Sequence, residues 1–177
     1  MAHNPNETYC KVLQKENRVE VETELPWTIR NAVLKQYPTL EKSKIQADLD
    51  KAFFDYVSQN LVLKDKQNKV LALKEVKPLL NNGETHSNRY LFVYEGVFEQ
   101  IENRLLFNLY DTQQNYLDIE QGNEVVKFVT TPKAAIYYAV EQANDTKPNY
   151  VFYEILSMFI LAMSCVYAVQ VWKKRKK

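Results

Sequence analysis

Residues 18–25, RVEVETEL, alternate without interruption, with Val19, Val21, Thr23 and Leu25 on one side and Arg18, Glu20, Glu22 and Glu24 on the other. A period of two marks a strand with one dry and one wet face. Tyr9 to Lys15 repeats the pattern more weakly, and Glu16-Asn17 between the two suits a hairpin turn. From Pro26 the period lengthens. Pro26 fits the first position of a helix, Trp27, Ile29, Val33, Leu34 and Tyr37 form a broad apolar side, and Pro38 ends the run. A helix is therefore predicted near 26–37. A second is predicted near 43–60, where Ser43 and Gln46 match an S-x-x-Q capping box and Ile45, Leu49, Phe53, Tyr56 and Val57 recur at helical spacing. That stripe reads as core packing rather than as a ligand-stacking box.

The period then returns to two. Leu61–Lys64 and Val70–Lys74 read as a hairpin around Asp65–Asn68, and residues 75–88 as a polar loop. Five further strand-like runs follow: Tyr90–Phe98, Arg104–Tyr110, Tyr116–Glu120, Val125–Thr130 and Ala134–Val140, with a tight-turn signal at Gln121-Gly122-Asn123. About nine short strands with two consecutive helices after the second predict a mainly β, β-sandwich-like domain over 1–140. A polar tether is expected over 141–150.

Residues 151–172 break with everything before them. VFYEILSMFILAMSCVYAVQVW holds one charge, Glu154, and no Gly or Pro. As a helix it would be about 33 Å long at about 1.5 Å per residue, enough for a hydrocarbon core of about 30 Å. Tyr150, Tyr153 and Trp172 lie near its ends, where amphipathic rings favour the interface, and five cations follow at 173–177. One C-terminal transmembrane helix is expected. Its basic tail places the C-terminus in the cytoplasm and the N-terminal domain outside, in the periplasm, at the cytoplasmic (inner) membrane.

Charge narrows the function classes. Setting aside Glu154 and the five tail cations leaves 18 basic and 21 acidic residues, a mildly acidic domain without the basic footprint of nucleic-acid binding. Cys10 and Cys165 fall in different compartments and do not pair within one chain, so Cys10 reads as a small buried hydrophobe. MAHNPNETYC has no apolar stretch for export; a removed signal peptide accounts for this, with His3 at or near the mature start. The rival account is a tail-anchored protein with its domain in the cytosol, which the positive-inside pattern opposes.

Catalytic patterns are missing from the sequence. No G-x-S-x-G, H-E-x-x-H, P-loop or G-x-G-x-x-G occurs, and there are three Gly and two His in all. The chain is therefore not expected to be an enzyme. His3, with the terminal amine or backbone amides, has the donors for Cu(II), and His86 is the one further imidazole that would join it. The bland account is that His3 is merely a terminal residue. Asn115, at a strand entry, is expected to bond nearby backbone and fix a turn.

The order of elements, with His3-Asn4-Pro5, the stretch Tyr56–Leu63 (YVSQNLVL) and Gln114-Asn115, resembles a family of small exported bacterial proteins of unknown function. It also resembles the extracytoplasmic segment of hydrogenase/urease accessory (HupE/UreJ-type) membrane proteins. The resemblance covers roughly 3–140 and carries no catalytic signature. It departs at Gln67-Asn68-Lys69, where relatives place a Gly, and in the single anchor. It implies an exported β-sandwich. The expected function is a non-catalytic accessory or assembly subunit docking on a membrane protein complex, with Glu154, Ser157 and Ser164 as polar contacts to a membrane partner in the bilayer. The alternative is a periplasmic copper-handling module using His3. Carbohydrate or peptide binding on the sheet face has the 12 Tyr alone behind it.

Overall fold

The structure is a computed structural model that describes residues 4–79, 87–121 and 124–139. The order of elements is β1 (Glu7–Lys15), β2 (Arg18–Pro26), α1 (Ile29–Gln36), a 3-10 helix (Pro38–Lys42), α2 (Gln46–Asn60), β3 (Leu61–Lys64), β4 (Ala72–Pro78), β5 (Ser87–Glu95), β6 (Gln100–Asn103), β7 (Gln114–Gln121), β8 (Glu124–Thr130) and β9 (Ile136–Tyr138). The fold is mainly β. Six strands form one sheet in the order β4-β5-β2-β1-β7-β8, and three form another in the order β3-β6-β9. Only the β1–β7 pair is parallel among the described strands.

The alternation along β2 sets the large sheet. Val19, Val21, Thr23 and Leu25 are fully buried, while the Glu20 carboxylate meets Lys15 at 2.5 Å and Arg18 at 2.7 Å, and Glu22 pairs with Arg89. Each aliphatic side chain so buried stabilises the fold by about 1.5–3 kcal/mol. The β1–β2 turn falls at Glu16-Asn17, closed by the Lys15–Arg18 pair. Cys10, Val12, Leu117, Ile119, Phe92 and Tyr94 complete the dry face.

The helices begin later than predicted. Pro26 stays in the ladder opposite Ser87, and α1 starts at Ile29, where the Thr28 carbonyl accepts from Asn31 at 2.9 Å and Ala32 at 3.2 Å. Pro has no N–H to carry a ladder onward, so the strand stops at that residue. Trp27, expected on the apolar side, is instead 66 % exposed. The Ser43–Gln46 capping box is not formed either. The Ser43 hydroxyl donates to Asp48 at 2.9 Å and accepts from the Ile45 N–H at 3.2 Å, while Gln46 donates to Asp50 at 2.7 Å. The apolar stripe of α2 is core only in its second half: Tyr56 and Val57 are buried, Leu49 and Phe53 half-buried, and Ile45 is 61 % exposed.

Two predicted strand pairings change. The turn at Asp65–Asn68 is present, with Asp65 Oδ1 accepting from the N–H of Gln67 and of Lys69 at 2.9 Å each. Asn68, at φ 62°, takes the left-handed conformation that a Gly would otherwise fill. Beyond one bridge, Lys64 to Val70, the flanking strands part: β3 joins the small sheet and β4 the large one. The run Arg104–Tyr110 is a series of turns, and the strand lies just before it as β6. Leu105 and Leu106 are both buried although consecutive, which no strand with one dry face allows. Leu106 reaches this through a left-handed backbone, φ 64°, held by its N–H donating to the Tyr56 hydroxyl at 2.9 Å.

Tyr56 in turn donates to Asn108 Oδ1 at 3.2 Å, and Tyr94 donates to the Leu61 carbonyl at 2.8 Å. Burial pushes the Tyr56 hydroxyl up to about 12 and the Cys10 thiol up to about 11, and raises Tyr94 well above its ordinary 10.0. These groups hold their protons in the folded chain where the unfolded chain has released them. Their contribution is therefore whole below about pH 9 and is lost as pH rises through the folded values. Urea denaturation should give a flat midpoint from about pH 7 to 8.5 and a steady fall above about pH 9.5, by up to about 1.4 kcal/mol per pH unit per group. Tyr56→Phe should soften that fall while lowering neutral stability by about 1–3 kcal/mol, because the Leu106 N–H loses its acceptor.

Candidate functional site

Two assemblies of polar side chains stand out, one inside the core and one at the surface. The first centres on Asn115, the second residue of β7. It lies beside Thr8 of β1 and Thr130 of β8 on the inward face of the large sheet, and all three are fully buried. Its Oδ1 accepts from Thr8 Oγ1 at 2.6 Å and from Gln113 Nε2 at 2.9 Å. Its Nδ2 donates to Asn103 Oδ1 at 3.1 Å and to the Leu105 carbonyl at 3.2 Å. Asn103, at the end of β6, also accepts at its carbonyl from Thr130 Oγ1 at 3.1 Å and points its amide at Cys10 Sγ, 3.7 Å away. The bonds of Asn115 are not those of a local turn: its backbone acceptor Leu105 lies ten residues earlier, and Thr8 and Asn103 are side chains of other strands.

This assembly has nothing to offer a ligand. Both lone-pair directions and both N–H bonds of the Asn115 amide are used. Gln113 Oε1 is buried without a hydrogen-bond partner among the described residues, a local cost rather than an open site. Cys10, with its pKa pushed up by burial, stays a neutral thiol at physiological pH and is a poor nucleophile. The assembly is structural.

The second assembly is a cleft of about 330 Å³ where α1, the first half of α2 and the start of β5 meet. Phe53, Leu49, Ile29 and Val33 supply apolar lining, and Trp27, Arg30, Gln46, Asp50, Asn88 and Tyr90 supply polar and aromatic groups. Phe53 packs on Tyr90 with ring centroids 4.7 Å apart and on buried Phe92 at 6.2 Å, so the floor is anchored to the core. Burial and then the Asp50 carboxylate raise the Tyr90 hydroxyl above its ordinary value, keeping it a neutral donor. Arg30 is exposed and has no ion-pair partner among the described residues. The cleft exists because the strand ends at Pro26. Just beyond it Trp27 is exposed, as is Ile45 at the start of α2.

The other sequence-predicted positions are not placed. His3, His86, Glu154, Ser157 and Ser164 lie outside the described residues, as do the tether 141–150, the predicted span 151–172 and the basic tail. Among the described residues no helix is long and apolar enough to cross a membrane, and no three His, Cys, Asp or Glu side chains gather as metal ligands would. Trp27 and Arg30 were not singled out from the sequence as site residues. Thr28, a residue type that favours the N-cap, was the available signal that the helix begins after them. No protein-family model matches this chain, and no curated protein matches it.

Asn115→Ala should lower stability by about 2–4 kcal/mol in urea denaturation, because it strands the Thr8 hydroxyl in a dry interior and takes one partner each from Gln113 and Asn103. It should leave binding at the surface cleft intact under conditions where the variant is folded. Loss of binding by a folded Asn115→Ala variant would contradict the purely structural role.

Proposed function

We propose that the chain is a non-catalytic, membrane-anchored accessory subunit. In this reading the two sheets form a sandwich-like domain outside the cytoplasmic membrane. Residues 151–172 anchor it, and the α1–α2 cleft docks on a partner in a membrane protein complex. One observation carries the docking: Trp27 stands 66 % exposed at a cleft that also presents Arg30 and Tyr90. Trp, Arg and Tyr are the side chains that dominate interface energetics, and a large exposed indole over an anchored apolar floor is a ready hot spot. Neutral Tyr90 and Asn88 add donors at the base, while Asp50 faces them with an acceptor. These groups bind and orient; they include no activated nucleophile and no general acid–base pair.

The direction of the strands supports the same reading. Pro26, the last residue of β2, lies at the cleft end, and Arg18, its first, pairs with Glu95 at the other end. Eight steps at about 3.3 Å separate them by roughly 26 Å. The last described residue, Ala139, donates its N–H to Glu99 at 2.7 Å, four residues beyond Glu95, so the chain leaves the domain at the end remote from the cleft. A cleft at the end of the domain remote from Ala139 suits a partner whose extracytoplasmic part rises from the bilayer. The resemblance to exported accessory proteins points to the same role.

The test is recovery of partners by full-length protein in mild detergent, against Trp27→Ala and, as a control on the outer sheet face, Lys127→Ala. The wild type and Lys127→Ala should retain a stoichiometric membrane protein. Trp27→Ala should retain about tenfold less or lower, since loss of such an anchor costs about 2 kcal/mol or more. Equal recovery by Trp27→Ala would remove the cleft from the contact, and a protein that purifies alone would sink the accessory reading.

A further inference from the structure

The exposed large apolar side chains among the described residues fall into three groups. Trp27 and Ile45 flank the cleft, Tyr9, Val125 and Val129 stand on the outer face of the large sheet, and Val70, Val97 and Tyr138 gather around the start of β6. The last group is 55 %, 47 % and 63 % exposed. Val70 and Tyr138 are joined by a short path, in which Lys64 bridges to Val70 and pairs with Gln100 and Gln100 pairs with Tyr138; Val97 lies two residues before Glu99, whose N–H donates to the Lys64 carbonyl at 2.8 Å. The β3–β4 turn beside it exposes Lys66 and Lys69, neither with an ion-pair partner among the described residues. This is also the end at which Ala139 leaves the domain.

We infer that this end of the domain, through Val70, Val97, Tyr138, Lys66 and Lys69, rests on the phospholipid headgroups of the membrane that residues 151–172 enter. The inference rests on the anchor reading above. Eleven residues separate Ala139 from Val151, and a chain of that length reaches at most about 40 Å even fully extended. Along the chain the exit end is the part of the domain nearest the anchor, and a tether raises the effective concentration at which even a small contact forms. The chemistry fits an interface rather than a hydrocarbon core. Tyr prefers the headgroup level, Lys lays its stem on apolar surface while its ammonium meets phosphate, and two Val are too little apolar surface to insert. Glu16 and Glu99 share this end, so the apolar three and the two turn lysines, rather than net charge, select the surface. The contact holds the strands upright and keeps the cleft off the membrane.

Full-length protein in nanodiscs of phosphatidylcholine and phosphatidylglycerol tests it. Cys165→Ser removes the thiol in the span, and the buried Cys10 thiol does not compete for label. A nitrobenzoxadiazole label is then placed through Val97→Cys or, at the cleft end, Gln46→Cys, both exposed positions. Doxyl lipid should quench the Val97 label at least threefold more than the Gln46 label, and Val70→Glu with Tyr138→Glu should bring the two level. Equal quenching in discs that retain the protein would overturn the lipid contact and leave the anchor standing. Failure of the chain to enter discs at all would overturn the anchor and, with it, this proposal. Shielding of Val97 that requires an added partner protein, not lipid, would assign the face to that partner and overturn the headgroup contact.

Discussion

The row Thr130–Asn115–Thr8 runs across three neighbouring strands of the large sheet, pointing inward, and Asn103 of the small sheet closes on it. Inside a dry interior such a row is worth more than its bonds. A slip of β7 by one residue would turn Asn115 to solvent and bring Gln114 or Tyr116 into the core, leaving the Thr8 hydroxyl without its acceptor and taking the Asn115 amide from Asn103. Apolar packing tolerates many sliding arrangements of two sheets; a saturated amide tolerates one. The parallel pairing of β1 with β7 is fixed at the same point, because Thr8 is directly opposite Asn115. The position of the small sheet, and of the Arg104–Tyr110 turns that hang from Leu105, follows from it.

What the sequence shows of this fold depends on whether a feature is local. The β2 alternation, the turn at Glu16-Asn17, the β7 and β8 strands and the pair of helices between β2 and β3 can all be read from periods of two and 3.6. The failures are where a distant partner decides. Arg104–Tyr110 has the composition of a strand, but Tyr56, about fifty positions earlier, captures the Leu106 N–H and bends the backbone. The Ser43–Gln46 box has the right letters, but Asp48 and Asp50 take its side chains first. The hairpin at Asp65–Asn68 has the right turn, but β5 and β6 claim its two arms for different sheets.

The candidate cleft was illegible for a related reason. Trp27 continues the inward parity of Val19, Val21, Thr23 and Leu25, so alternation places it in the core. It is exposed where Pro26 ends the ladder one residue earlier, while Phe53, Tyr90 and Phe92 pack on one another. A pattern reports what a side chain would prefer; the volume left by its neighbours decides whether it can enter. Asn115 is the intermediate case. Its place at a strand entry suggested a local turn, and only the pairing of strands far apart in sequence reveals that it joins two sheets.

The same long-range pairings give the domain two unlike ends. Strands of about nine residues carry the core without a break from the Glu16-Asn17 turn to Pro26. At the Pro26 end the β2–β5 ladder stops, and α1, α2 and the start of β5 line a cleft. At the other end three connections and the chain exit crowd together. Gly96, at φ +120°, belongs to that crowding: an added Cβ would come within 2.8 Å of Leu71 Cδ2. Val70 and Val97 stand exposed near that packing, as Ile45 does at the start of α2. In both places apolar surface is exposed where the core has already been filled. Surface of that kind, at opposite ends of a stiff set of strands, can serve two contacts at once, one that holds the domain and one that the domain presents.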